Sequence, residues 1–139
     1  MAGANSWNEN IINDFREHGG ETSGPFAGRP LLLLTAKGAK SGKETTSPLM
    51  YNTDGSRLLV FASKGGAPTN PDWYYNVIAN PEVTVEVGAE KFQARAVVVT
   101  GEERDKLYAM HSEQFPQFGE YQKGLERKIP VIALERIAS

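Results

Sequence analysis

The fold is decided by residues 31–62, which read LLLLTAKGAKSGKETTSPLMYNTDGSRLLVFA. The continuous apolar run from Leu31 to Thr35 predicts a short buried strand. A basic, glycine-bearing loop separates it from a second strand over Thr45–Thr53, and Asp54-Gly55 is a strong turn signal before a third strand over Leu58–Ala62. Such short connections predict three adjacent antiparallel strands.

Toward the amino terminus, residues 6–18 are predicted to form a helix. Ser6 followed by Glu9 indicates a capping box, and Gly19-Gly20 ends the helix because glycine readily adopts the left-handed conformation of a helix exit. Its apolar residues recur at helical spacing: Trp7, Ile11, Ile12 and Phe15. This stripe is typical of a helix packed on the core; the alternative is a mobile pocket cover or a membrane-surface anchor that presents Trp7 and Phe15 to a lipid-like ligand.

Residues 20–29 form a predicted linker between this helix and Leu31, and the remaining elements follow residue 62 toward the carboxyl terminus. Asn70 is expected to cap a helix over Asp72–Ala79, and Thr100 with Glu103 to cap another that runs to about Ser112. Further strands are predicted over Val83–Val87, Phe92–Val99 and Pro130–Arg136. Six short strands joined mostly by tight turns indicate an α+β chain, mainly β, built on a closed or nearly closed antiparallel barrel.

Composition narrows the function classes. The chain has 139 residues, 40% of them hydrophobic and 23% charged, which predicts a single domain over residues 1–139. A net charge of −2 argues against nucleic acid, and the absence of Cys with only two His argues against a metal site. No apolar run is long enough to span a bilayer or to resemble a signal peptide, so a soluble cytoplasmic protein is expected.

Side chains for unassisted catalysis are scarce. His18 is predicted at a helix exit and His111 late in another helix, where an imidazole favours the helix dipole. Glu102-Glu103 is a paired carboxylate at a helix start, where it complements the same dipole. An enzyme with this sequence therefore needs a bound cofactor to supply the difficult step.

Two loops have the composition of anion sites. Lys37, Lys40 and Lys43 recur every three residues around Gly38 and Gly42, and the second loop reads Ser63-Lys64-Gly65-Gly66. Glycines let backbone amides approach a phosphate and lysines neutralise it, while the helix after Pro71 adds a positive end. Together the loops predict a phosphorylated ligand, although a basic turn by itself is commonly a solvated hairpin.

Two aromatic groups are candidates for the walls of a pocket. Trp73, Tyr74 and Tyr75 are consecutive on a predicted helix, so some pack in the core while others are free to flank a planar ring. Phe115, Phe118 and Tyr121 recur three apart, as either a core stripe or one wall of an apolar substrate pocket.

Two motifs in this order resemble the deazaflavin-dependent nitroreductase family. Residues 33–49, LLTAKGAKSGKETTSPL, resemble its LLTTxGRKSGxxRxxPL stretch, and residues 62–81, ASKGGAPTNPDWYYNVIANP, resemble ASxGGxxxxPxWYxNxxANP. The resemblance implies a split β-barrel related to flavin-binding oxidoreductases. It also implies that coenzyme F420, an 8-hydroxy-5-deazaflavin, passes a hydride from its ring carbon C5 to quinones and, in some members, to nitroimidazole prodrugs.

The same resemblance implies residue roles. The phosphate and acidic tail fall to the Lys40 loop, the ring to residues 48–50, its edge to residues 62–64, and the remaining wall to the helix after Pro71. Ala39 and Thr45 stand where basic residues are common in the family. The implied cofactor residues are Ala39, Lys40, Ser41, Gly42, Thr45, Pro48, Leu49, Met50, Ala62, Ser63, Lys64, Gly65, Asp72, Trp73, Tyr74 and Asn76.

The hydride acceptor is expected to bind between a hydroxyl group and an apolar wall. Ser63 and Tyr121 are the candidate catalytic residues, which polarise or protonate the developing oxyanion. The expected substrate pocket comprises Trp7, Phe15, Phe115, Phe118 and Tyr121. Phe115 and Phe118 replace two tyrosines of nitroimidazole-activating members, which favours a quinone as the acceptor and weak or absent nitroimidazole reduction.

Two alternatives stay open at this point. FMN has a similar planar tricycle and phosphate, so an FMN-dependent oxidoreductase on the same barrel is the first. A non-enzymatic barrel that binds single-stranded nucleic acid on aromatics and lysines is the second, and the net charge of −2 argues against it. The sequence also leaves open the oligomeric state and peripheral membrane contact through the N-terminal helix.

Overall fold

A computed structural model of the chain describes residues 2–20 and 30–137, with side chains from residue 9 onward. Residues 21–29 of the predicted linker over 20–29 and the side chain of Trp7 lie outside the described residues. The helices are α1 (Ala2–Glu17), α2 (Asp72–Ala79), α3 (Gly101–Gln114) and α4 (Pro116–Lys123). The strands are β1 (Leu31–Lys37), β2 (Glu44–Asp54), β3 (Arg57–Phe61), β4 (Glu82–Val87), β5 (Glu90–Val99) and β6 (Val131–Arg136).

The six strands form a closed antiparallel barrel in the order β1-β2-β3-β6-β5-β4, which confirms the predicted fold class. The β2–β3 hairpin pairs Asp54 with Arg57 around Gly55, whose φ of 62° is accessible to glycine at little cost. Strands β1 and β4 close the barrel through three residue pairs, of which Leu34–Val85 is the central one. The barrel therefore leaves neither β1 nor β4 as an open edge.

Strand β1 is buried on both faces, which explains its continuous leucine run. Leu32 and Leu34 belong to the cluster that fills the barrel interior, to which all six strands contribute. Leu31 and Leu33 point the other way and pack with Phe15 of α1. Successive side chains of a strand alternate between faces, so a strand covered on both sides needs apolar residues at every position.

The helices cover the remaining surfaces of the barrel. Trp73 and Val77 of α2 join the interior cluster, so this helix packs against the barrel core. Helices α3 and α4 cover the outer face of β3 and β6, with Leu107, Tyr108 and Phe118 buried there. None of the described helices is long and apolar enough to cross a membrane.

Helix α1 starts earlier than the sequence predicts and is attached to the barrel near its end. It begins at Ala2, so Ser6 lies inside the helix and does not cap it. The exit matches expectation, since Gly19 and Gly20 have φ values of 62° and 99°. Phe15 is 1% exposed, which places it in the core rather than on the ligand-facing surface of the cover or anchor alternative.

Two further predicted side-chain caps, at the starts of α2 and α3, are wrong. The N-cap of α2 is Pro71, and Asn70 Oδ1 accepts a hydrogen bond from Arg127 at 2.7 Å instead. Thr100 is the N-cap of α3 but makes no side-chain capping bond. The expected partner of Thr100, Glu103, accepts a hydrogen bond from Arg57 at 3.0 Å.

Candidate cofactor site

A cleft of about 990 Å³ lies between the β1–β2 loop, the start of β2 and α2. Seven of its residues were predicted for the cofactor: Ala39, Lys40, Ser41, Thr45, Asp72, Trp73 and Asn76. The other four are Gly38, Thr46, Ser47 and Tyr75. Three segments that are distant in sequence thus form one concave surface with a lysine, several hydroxyls and two aromatic rings.

The β1–β2 loop is held by its own backbone and by α2. Gly38 N donates to Lys43 O at 2.8 Å, and Ser41 Oγ accepts from Lys43 N at 3.2 Å. A Cβ on Gly38 would lie 2.7 Å from Ser41 Oγ, so this close approach requires glycine. Ala39 N donates to Asn76 Oδ1 at 2.9 Å, which fixes the loop against α2.

The faces of α2 separate cleft residues from core residues. Asp72, Tyr75 and Asn76 are at i, i+3 and i+4 spacing and line the cleft, while Trp73 reaches it from a core position, 8% exposed. Tyr74, predicted as part of the wall, instead lines a separate cavity of about 200 Å³. Tyr75 was among the candidate wall aromatics but not among the implied cofactor residues, although its spacing from Asp72 is a signal that could have identified it.

The charges in the cleft are fewer than the loop sequence suggests. Lys40 lines the cleft, whereas Lys37 lines a different cavity beside Arg95. Asp72 contributes a carboxylate in the first turn of α2, whose backbone amides lack partners within the helix. Lys40 and the amino-terminal end of α2 are therefore the positive features offered to an anion.

Strand β2 continues from the cleft into the region predicted to hold the ring. Leu49 packs with the barrel interior, while Met50 contacts the outer core clusters beneath α1 and α4. Pro48 shares the outer face with Met50 because side chains alternate along a strand. Consecutive positions of one strand therefore do not form a single wall.

The second glycine-bearing loop leaves β3 at the same end of the barrel. The pairing of Tyr51 with Val60 places the end of β3 beside Leu49 and Met50. Ala62 is fully buried and Ser63 is 8% exposed, and neither belongs to the residues that line the cleft.

The turn that follows carries backbone strain and a close contact. Lys64 has a φ of 51°, a backbone conformation that residues with a Cβ rarely adopt. Its Nζ donates to Thr69 Oγ1 at 3.2 Å. Gly66, with a φ of 88°, leaves room for Tyr121, since a Cβ there would lie 3.0 Å from the ring. The loop of Ser63 and the ring of Tyr121 are thereby brought together.

The predicted aromatic face of α4 is divided between core and surface. Phe118 is 6% exposed and packs in the core, contrary to a pocket position, while Phe115 and Tyr121 are half-buried beside it. Tyr108 donates to Phe118 O at 2.6 Å, and burial raises the pKa of its phenol to about 12.

His111 differs from its expected role at a helix end. It is fully buried, its ring stacks on Phe61 at 3.8 Å, and its Nδ1 accepts from Asn52 Nδ2 at 3.1 Å. Burial lowers the pKa of His111 to about 4, so the imidazole is neutral and gains nothing from the helix dipole. Its Nε2 has no hydrogen-bond partner among the described residues.

Comparisons with known proteins agree with these features. A sequence model of the family described as F420H(2)-dependent quinone reductase matches residues 7–136. The F420H(2)-dependent quinone reductase Rv1261c of Mycobacterium tuberculosis is 39% identical over 110 residues, covering 77% of this chain and 74% of that protein. A solved F420-H2 dependent reductase, FDR-A, is 42% identical with a TM-score of 0.71, covering 77% of this chain and 95% of that one. A solved chain described as a domain-swapped dimer is 36% identical with a TM-score of 0.73, covering 95% and 99%.

Proposed function

Because the chain belongs to the F420H(2)-dependent quinone reductase family, we propose that it transfers a hydride from reduced coenzyme F420 to a quinone. The observation that carries this proposal is the cleft between the Lys40 loop, β2 and α2. Its volume, about 990 Å³, suits a large planar ligand with a phosphate, since ligand pockets span roughly 300–1,000 Å³.

The donor set of the cleft fits the chemistry of the coenzyme. Lys40 and the first-turn amides of α2 favour an anion, and Ser41, Thr45 and Ser47 add hydroxyl groups to the lining of the cleft. The ring of Tyr75 offers an aromatic surface in the same cleft. These residues would hold the phosphate and the acidic tail.

The course of strand β2 indicates how the bound coenzyme would lie. From Ser47 to Met50 the strand rises by about 10 Å, which is comparable to the length of a tricyclic ring. A ligand anchored by its phosphate near Lys40 would therefore extend along β2 toward Met50. That end lies beside the last residues of β3 and the loop of Ser63.

When bound, reduced F420 supplies the hydride, and the residues of the chain bind, orient and polarise. Holding donor and acceptor in contact replaces a bimolecular encounter with an oriented one. The hydroxyl of Ser63 or of Tyr121 would donate to the acceptor oxygen as negative charge develops there. The half-buried rings of Phe115 and Tyr121 would exclude water from the acceptor beside them.

The acceptor proposed here is a quinone rather than a nitroimidazole. Phe115 carries no hydroxyl, and Phe118 packs against His111 and Phe61 in the core, where a hydroxyl would lack solvent. Tyr121 alone among these three offers a donor. A flat, apolar acceptor with a carbonyl that Tyr121 can polarise suits this surface.

The test combines cofactor binding with turnover. Purified protein is titrated with F420 by fluorescence, and oxidation of F420H2 is followed by absorbance in the presence of menadione or of a nitroimidazole. We expect steady oxidation with menadione and little with the nitroimidazole. The Lys40→Glu variant should weaken cofactor binding by about tenfold or more, because it places a like charge beside the phosphate.

The matched control is Lys106→Glu, which makes the same charge change at an exposed site on α3. Its affinity for F420 should equal that of the wild type. A flat absorbance trace at saturating menadione, or equal loss of affinity in both variants, would reject the proposed function.

A further inference from the structure

Arg127 is bound by a single loop through its whole guanidinium group. Nη1 donates to Ala62 O at 3.2 Å and to Asn70 Oδ1 at 2.7 Å. Nη2 donates to Ser63 O at 2.9 Å and to Ala67 O at 2.8 Å, and Nε also donates to Ala67 O, at 3.1 Å. A guanidinium has five N–H donors, so these five bonds use all of them.

These acceptors span the loop that carries Ser63. Residues 62–70 include the strained Lys64 and the tight turn over Lys64–Gly66. Within the loop itself, the backbone bonds of the turn are Gly66 N to Ser63 O at 3.0 Å and Ala67 N to Lys64 O at 3.1 Å. A turn with so few bonds of its own needs outside support to keep one conformation.

Arg127 binds its loop without a carboxylate partner among the described residues. The four oxygens that accept these five bonds are neutral carbonyl or amide oxygens, and no ion pair joins Arg127 to an acidic side chain in the described part of the chain. The interaction therefore depends on the planar, forked arrangement of the guanidinium donors rather than on pairing with an opposite charge.

Arg127 is fixed from the other side by α4. Gln122 Nε2 donates to Arg127 O at 2.8 Å, and Gln122 Oε1 accepts from Ile129 N at 2.8 Å. The buried guanidinium of Arg104 donates to Gln122 Oε1 and to Ile129 O, at 2.7 and 2.8 Å. Residues 127–129 are thus held against the helix that presents Tyr121, the neighbour of Gln122.

We propose that Arg127 is a positioning residue for hydride transfer: it sets the loop of Ser63 against Tyr121 of α4. This inference rests on the proposed function. It assigns Arg127 no contact with the cofactor or the acceptor, because its donors are already used. The cleft that binds the cofactor contains no residue of loop 62–70, so loosening the loop affects turnover more than cofactor affinity.

The test compares three variants of the full chain. Arg127→Met removes all five bonds, Arg127→Lys keeps the charge without the fork, and Arg95→Met removes an exposed arginine whose ion pair with Glu82 is 3.7 Å long. The readouts are kcat for menadione reduction, Kd for F420, and amide hydrogen exchange at Gly66 and Ala67 in the protein without cofactor.

We expect Arg127→Met to lower kcat by about tenfold or more while Kd changes by less than about threefold. Exchange at Gly66 and Ala67 should accelerate by about tenfold while barrel-strand amides keep their protection. Arg127→Lys should recover part of the lost kcat, and Arg95→Met should match the wild type. If Arg127→Met does not fold, Arg127→Lys provides the same comparison at smaller amplitude.

The inference is overturned if exchange at Gly66 and Ala67 is unchanged, or if it rises equally throughout the barrel. It is also overturned if the loop loosens while kcat stays at the wild-type value. Failure of the proposed function looks different, because the wild type itself then binds no F420. The exchange experiment needs no cofactor and still reports on the contact between Arg127 and its loop.

Discussion

Two consecutive tyrosines on α2 have different surroundings. Tyr75 is 50% exposed, lines the cleft, and its hydroxyl accepts from Asn70 Nδ2 at 3.4 Å. Tyr74 packs against the interior cluster and lines the smaller cavity beside Arg104. Neighbouring side chains on a helix diverge by about 100°, so adjacent residues of one type serve the site and the fold separately.

We therefore expect Tyr75→Leu and Tyr74→Leu to have opposite effects. Tyr75→Leu should raise the Kd for F420 by about fivefold to tenfold, since an aromatic contact contributes on the order of 1 kcal/mol, and leave the Tm nearly unchanged. Tyr74→Leu should lower the Tm by several degrees, on the order of 1–2 kcal/mol of packing, and leave the Kd unchanged. Fluorescence titration and thermal melts measure both, and a larger Kd effect at Tyr74 would contradict the assigned cleft.

Among the described side chains of helix α1, Arg16 forms an ion pair with the barrel, and the buried ring of Phe15 packs against it together with Ile11 and Ile12. Arg16 Nε and Nη2 bond both carboxylate oxygens of Glu86 on β4, at 3.0 and 2.8 Å. The hydrogen bonds from Arg16 lower the pKa of the Glu86 carboxyl and raise that of Arg16 itself. The side chain of Glu86 is 12% exposed and that of Arg16 is 48% exposed. Water can therefore solvate Arg16 without the ion pair much better than it can solvate Glu86.

Removing the arginine should therefore cost more stability than removing the charge of the acid. Arg16→Met leaves a nearly buried carboxylate without its partner, and we expect a loss of about 2 kcal/mol in the free energy of unfolding. Glu86→Gln returns an accessible guanidinium to water and should cost about 1 kcal/mol. Urea denaturation at pH 7 provides the values.

The control for this pair is Glu82→Gln, which breaks an ion pair whose side chains are 53% and 70% exposed. Its cost should stay below about 0.5 kcal/mol. Losses that small in all three variants would mean that the ion pair does not hold the helix and that apolar contacts such as those of Phe15 do.

Across the whole molecule, the packing of α3 and α4 on the barrel encloses a neutral histidine. His111 lies between Phe61 of β3 and Phe118 of α4. The pKa of His111 in the folded protein, about 4, is lower than its ordinary value of 6.5, so the unfolded chain takes up the proton first as the pH falls. Stability from this group is complete above pH 6.5 and is lost progressively as the pH falls toward 4.

We expect the wild type to lose up to about 3 kcal/mol through His111 across this window. The His111→Phe variant keeps a ring between the two phenylalanines, and Asn52 keeps its bond to Gln114. Its stability should vary much less between pH 6.5 and pH 4.5, as measured by urea denaturation at a series of pH values. His18→Gln, at an exposed histidine, should retain the acid-dependent fall. Parallel curves for the wild type and His111→Phe would contradict the assignment.

Most of the barrel could be predicted from local pattern. Strand boundaries agree within about two residues, as in β5, which starts at Glu90 rather than at Phe92. The predictions failed where an atom was taken by a partner distant in sequence. Asn70 does not cap α2 because Arg127 binds its oxygen, and Glu103 does not support a cap because Arg57 binds its carboxylate.

The candidate cofactor site could be predicted from the sequence only where local motifs name its residues. The motifs identified seven of the eleven residues that line the cleft, including Lys40 and Asn76. They did not separate Tyr75 from Tyr74 or Leu49 from Met50. That separation depends on which face of a helix or strand meets a neighbouring element.

The sequence by itself determined the elements of this protein, since alternation, turn residues and glycine positions act over a few residues of chain. The tertiary structure alone decided which of those elements meet. It paired β1 with β4 across some fifty residues, gave the donors of Arg127 to the loop of Ser63, and buried His111 as a neutral ring. Each of these outcomes depends on desolvation and on partners that distant segments supply. Neighbouring residues of the chain encode neither the desolvation nor the partners.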